Sequence, residues 1–207
     1  MHPAVPSATG CQTMTPPAEA VRVFFALSPD RRCAQRLQLL ADDLALRLGG
    51  RAMQPETLHL TLAFLGDLPA DRLPVLLALA GAVADDARQW APPGTGSGVL
   101  RLDRLAYWAR QRLLWAGSTS FPPMLRALAG QLAEKTRATG IAVPRSAFVP
   151  HVTLVRKLLL APAESELDLL KDAPLAWPWH EFVLLRSRRS GVVPAYERLG
   201  RWKLRAG

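Results

Sequence analysis

Two stretches of this 207-residue chain decide its fold: LHLTLAFLG at 58–66 and FVPHVTLVR at 148–156. Both alternate apolar residues with His and Thr, the period-two pattern of a half-covered strand. The tetrapeptides His59-Leu60-Thr61-Leu62 and His151-Val152-Thr153-Leu154 repeat one pattern. On a strand, His59 and Thr61 project together while Leu58, Leu60 and Leu62 project the other way. His151 and Thr153 oppose Val152 and Leu154 in the same manner. The chain has 4 His, and chance seldom gives two of them a Thr at the same offset. An internal duplication that brings two His/Thr pairs across a cleft explains both copies at once.

Outward from these stretches, VRVFFAL (21–27) predicts a buried strand. Ser28 is the expected N-cap and Pro29 the first position of a helix to about Leu48, closed by Gly49-Gly50. A second helix is expected over 70–90, and a Pro/Gly/Ser loop from Pro92 to Gly98. Strands are expected at 99–108 and 112–118, joined by a tight turn near Arg110-Gln111. A helix over about 122–139, a short helix near 163–171 and closing strands at 180–187 and 196–204 complete the pattern. Each half holds a helix followed by a motif strand. The tight 108–112 connection suits antiparallel strands, because parallel ones need long crossovers. The expected class is therefore α+β. Residues 1–20 carry no Lys or Arg and no apolar run, so a disordered leader is expected rather than a secretory signal.

Composition bounds the function. Apolar residues make up 49% and charged residues 21%, which excludes wholesale disorder. Cys11 and Cys33 cannot build a disulfide framework or supply a four-ligand zinc site. No apolar run approaches the ~20 residues of a membrane span, so no membrane partner is expected, and the expectation is a cytoplasmic monomer. The net charge of +9 is unevenly spread. Residues 1–103 hold 9 Lys and Arg against 10 Asp and Glu, net −1, and residues 104–207 hold 17 against 7, net +10. An anionic partner such as nucleic acid explains this, and so does simple enrichment in Arg.

The paired motifs suit phosphoryl chemistry. Histidine titrates near neutrality, at ~6.5. Two imidazoles on opposite sides of one phosphorus fit an in-line displacement, one taking a proton from the attacking oxygen and one protonating the leaving oxygen. Thr61 and Thr153 can donate to non-bridging oxygens, where transition-state charge must be held. Arg156 lies five residues after His151, so a regular strand turns it to the opposite face, and a bend would swing it inward as a phosphate clamp. Neither motif has a carboxylate or Cys at ligand spacing, and His-Glu-x-x-His is absent. Gly-x-Ser-x-Gly and Walker-type loops are also absent. No metal and no cofactor is implied.

RVFFAL, PETLHLTLAFLGDL, RLLWAG, FVPHVTLVR and VPAYERLGRWKL together resemble the two-histidine phosphoesterases, specifically the RNA 2',3'-cyclic phosphodiesterases also called 2'-5' RNA ligases. The resemblance spans about residues 21–204. It implies one bilobal domain, with two pseudo-symmetric antiparallel-sheet lobes, helices outside and a central cleft. It implies metal-independent hydrolysis of a terminal 2',3'-cyclic phosphate on RNA to a 2'-phosphate. It makes His59 the proton donor and His151 the proton acceptor, with Thr61, Thr153 and Arg156 on the phosphate. Phe148 is a candidate for stacking the terminal base, and Phe64 and Trp115 are expected in the core. Ligation through a 2'-5' linkage would use the same site. A non-catalytic RNA-binding module would use the basic second half alone.

Overall fold

Why each segment adopts its conformation is clearest along β1 and α1. In the computed structural model, which describes residues 19–90, 98–145, 147–188 and 195–204, the β-rich run AVRVFFAL forms β1 (Ala20–Leu27). The leader expected over 1–20 lies outside the described residues, apart from Glu19 and Ala20. α1 (Arg31–Leu48) buries Leu37, Ala41, Leu44 and Leu48 at helical spacing. Its N-cap is Asp30 rather than Ser28: the Asp30 carboxylate accepts from the Cys33 amide at 2.7 Å. A charged acceptor at the positive helix end outcompetes a hydroxyl two residues earlier.

The chain then runs through β2 (Arg51–Ala52), β3 (Leu60–Pro69), α2 (Leu73–Asp85), α3 (Ala87–Trp90), β4 (Gly98–Leu102), β5 (Arg104–Trp108), β6 (Leu113–Gly117), α4 (Pro123–Ala138) and β7 (His151–Arg156). Two short helices, α5 (Glu164–Leu167) and α6 (Leu169–Asp172), precede β8 (Leu175–Trp179), β9 (Glu181–Arg188) and β10 (Ala195–Lys203). The single strand expected at 99–108 is two strands in different sheets. The break is Asp103, whose carboxylate accepts from the Thr119 amide and hydroxyl at 2.8 and 2.9 Å and turns the chain. β8 was not legible as a strand, because Pro178 interrupts LAWPW, and among the described residues it pairs only with β4.

The main sheet runs β10-β9-β1-β3-β7-β6-β5, with β2 also on β7, and every pair described is antiparallel. The two expected lobes are its halves. β3 and β7 join them through one residue pair, Leu60 and Val152. Helices α1 and α4 cover one face, where Phe25, Leu37, Leu60, Leu125, Leu128 and Val152 share the main core. The opposite face is the cleft face, with its own small apolar cluster of Phe24, Ala26, Val183 and Leu185.

Past α1 the chain must reverse sharply to lay β2 on β7. Gly50 has φ +100, and a Cβ there would stand 2.8 Å from the Arg156 carbonyl oxygen. Gly50→Ala therefore forces both a strained backbone and a clash beside Arg156. Denaturant unfolding should show a loss of ~1–3 kcal/mol.

Candidate active site

The register of β3 against β7 builds the site. Leu60 faces Val152 across the antiparallel pair, and both are 0% exposed in the core. Their chain neighbours must therefore point to the other face. Counting outward from that pair, His59 comes opposite Thr153 and Thr61 opposite His151. The two histidines sit on a diagonal, which in antiparallel geometry sets the two positions ~7–8 Å apart. That gap can hold one tetrahedral phosphate between two imidazoles. All four motif residues are thus brought together on one face of the sheet.

Each imidazole is anchored in the same way. The Nδ1 of His59 lies 2.7 Å from the Thr57 carbonyl, and that of His151 lies 2.8 Å from the Val149 carbonyl. A carbonyl oxygen only accepts, so Nδ1–H donates in both rings and Nε2 is left for proton transfer. The turn Pro55–Thr57 aims the first of these carbonyls. Each ring also rests on two others. Phe24 and Tyr196 lie 4.8 and 5.1 Å from His59, and Trp108 and Trp115 lie 4.7 and 5.7 Å from His151, centroid to centroid. Trp115 reaches His151 over Gly117, where a Cβ would stand 2.5 Å from the indole.

Arg156 is on the cleft face after all. β7 carries a bulge, because Trp115 pairs with Thr153 but Leu114 pairs with Val155, leaving Leu154 extra. One extra residue inverts the alternation beyond it. Arg156 then pairs with Leu113 and shares the face of Thr153. Its charge acts on His59, His151 and Tyr196, and its buried Nε has no hydrogen-bond partner among the described residues. β3 is bulged at the matching place. Ala26 pairs with Thr61 and Phe25 with Ala63, so Leu62 is extra. Phe64 is turned outward by this bulge and is 44% exposed, contrary to its expected core position. Trp115 is buried as expected, although its ring packs against His151.

A groove of about 740 Å³ leads from Thr61 and His151 past Phe64, Trp108 and Phe148 to α4. Phe148 is half-buried in its wall and meets Phe121 edge-on at 5.9 Å. Tyr196 and Phe24 were missed as site residues. Tyr196 stands in β10, separated from β3 by β9 and β1, so no local pattern reveals that its ring meets His59. Among the described residues, no group of three or more His, Cys, Asp or Glu could hold a metal ion. No helix among them is long and apolar enough to cross a membrane.

Burial pushes the His59 imidazole down to about 4, helped by the positive charges of Arg156 and His151 and opposed by the Thr57 hydrogen bond. Burial, and then Arg156, also lower His151. Both rings are therefore neutral at pH 7 in the free protein, not the near-neutral pair that unperturbed histidines suggest.

Residues 27–115 match the family model described as LigT like Phosphoesterase. An Escherichia coli protein named RNA 2',3'-cyclic phosphodiesterase is 33% identical over 189 residues, covering 90% of this chain and 98% of that one. A Thermus thermophilus protein of the same name is 32% identical over 167 residues, covering 76% and 77%. The crystal structure of E. coli LigT complexed with 3'-AMP is similar with a TM-score of 0.74 at 28% identity, covering 90% of this chain and 99% of that one.

The His59 shift carries a sign for stability. Between pH 6.5 and about 4 the unfolded chain binds a proton that the folded chain refuses. Stability is thus fully present above pH 6.5 and falls as the pH drops through this window, by up to ~3 kcal/mol. Denaturant unfolding at stepped pH should show that slope, and His59→Gln should reduce it, leaving the smaller part that the lowered His151 contributes.

Proposed function

Because the chain belongs to the LigT-like phosphoesterase family, we propose that it is an RNA 2',3'-cyclic phosphodiesterase, working by paired-histidine acid–base catalysis. The observation that carries the reading is the β3–β7 register, with two imidazoles on a diagonal and two hydroxyls between them. Water attacks phosphorus as the Nε2 of His151 takes its proton. The P–O3' bond breaks, and the Nε2 of His59, protonated, gives its proton to the departing oxygen. The products are a 3'-hydroxyl and a 2'-phosphate. Thr61 and Thr153 donate to the non-bridging oxygens, and the Arg156 guanidinium balances the charge that grows there. Phe148, with the outward-turned Phe64, offers a face for the terminal base. The protein acts in this way as a cytoplasmic monomer, without a metal.

Because burial holds His59 neutral in the free protein, the anionic phosphate must raise its affinity for the proton. Binding and catalysis are thus coupled through one imidazole. The base must be deprotonated and the acid protonated, so activity falls on both sides of an optimum. The optimum of kcat/KM should lie below pH 6.5, reflecting the lowered His59 and His151 of the free protein. The kcat optimum should lie at higher pH, because bound phosphate favours the His59 imidazolium. Coincident profiles would contradict this.

The decisive assay is a short RNA ending in a 2',3'-cyclic phosphate, incubated in EDTA with the product end mapped. Wild type should yield a 2'-phosphate, and His59→Ala and His151→Ala should each lose ~10²–10⁴-fold in kcat. A substrate with sulfur at the 3' bridging position separates the roles, since a thiolate leaves without a proton. It should restore His59→Ala and leave His151→Ala inactive. Restoration of the other variant would exchange the two assignments.

A further inference from the structure

The groove continues well past the reacting phosphate, and its far wall is one face of α4. Arg126, Gly130, Ala133 and Arg137 all line it, at spacings of four, three and four residues that stack on one side of a helix. Arg145, on the segment after α4, lines it too. Among the described residues, no acidic side chain lines this groove. Arg126, Arg137 and Arg145 make no ion pair with a carboxylate among the described residues, whereas Arg22, Arg47, Arg186 and Arg188 each hold one. The Arg126 guanidinium is held over the Phe121 ring at 4.8 Å, and Phe121 in turn meets Phe148. The small residues Gly130 and Ala133 keep the span between the two α4 arginines open.

Accepting the cyclic phosphodiesterase reading on which this rests, we propose that the α4 face is a second binding subsite, for the ribose-phosphate chain on the 5' side of the reacting end. The eleven residue steps from Arg126 to Arg137 span ~16 Å of helix axis. That exceeds the ~3.4 Å rise per nucleotide of a stacked strand several-fold. Guanidiniums without carboxylate partners spread over such a span meet backbone phosphates several nucleotides apart on one strand, without reading bases. A mononucleotide cyclic phosphate, lacking upstream phosphodiesters, gains nothing from them. The enzyme therefore selects RNA ends over small cyclic nucleotides by charge along α4, not by the catalytic pair.

Steady-state kinetics on a 2',3'-cyclic mononucleotide and on a ten-nucleotide RNA with the same cyclic end tests this. The variants are the pair Arg126→Gln with Arg137→Gln and, separately, Gly130→Glu. The second is chosen because a Cβ at Gly130 meets nothing within 4 Å, and Glu favours a helix more than Gly does. Both variants should lower kcat/KM on the RNA by about tenfold or more at low salt. The arginine pair should also flatten its salt dependence, the log–log slope falling by ~0.7 for each phosphate left without its guanidinium. Turnover of the mononucleotide should stay within about twofold, which also reports correct folding. Equal losses on both substrates would overturn the subsite, and so would a wild type that gains nothing from the longer chain. Turnover of neither substrate by wild type would overturn the phosphodiesterase reading itself.

Discussion

β3 and β7 touch through Leu60 and Val152, and the positions of four cleft residues follow from that contact. Both side chains are buried completely, so neither strand can slip by one residue without turning a leucine or valine into the cleft and a histidine into the core. Sheet hydrogen bonding is thin here, and packing on the far face reinforces it. α1 follows β1 in sequence yet packs on β7, and α4 follows β6 yet packs on β3. Each half's helix thus braces the other half's motif strand. The apolar layer beneath the sheet holds the register, and the register places the two histidines.

Much of this was legible in the sequence. The period of two in LHLTLAFLG and FVPHVTLVR identified both strands and the face that His59, Thr61, His151 and Thr153 share. The apolar spacing of α1 and the Gly49-Gly50 stop were equally plain. What escaped was set by pairing between distant segments. Leu154 and Leu62 are bulged only because of how β6 and β1 lie beside them, so Arg156 and Phe64 turned up on a face that strict alternation denies them. Asp103 splits an apparently continuous strand by capturing Thr119. Tyr196 reaches His59 across two intervening strands.

The surroundings of the histidines set a tension between position and charge. Aromatic rings and a backbone carbonyl fix each imidazole in one orientation and one tautomer, which spares the ordering that a mobile base would require. The same rings exclude water and disfavour the imidazolium. Arg156 sharpens the conflict, since it repels a second positive charge in the cleft. An arriving anion relieves all of these at once, so the site is least comfortable empty and protonated.

The matched bulges have a consequence for selectivity. Two His/Thr pairs related by an approximate dyad are, by themselves, indifferent to being approached end for end. Under the proposed reaction a cyclic phosphate offers two ester oxygens, and a symmetric cradle would cleave either one. Whatever chooses between them must differ between the halves. At equivalent places, five residues beyond each histidine, one bulge presents a flat hydrocarbon ring and the other a guanidinium. The two His/Thr pairs match, and the difference between Phe64 and Arg156 gives the cleft a handedness.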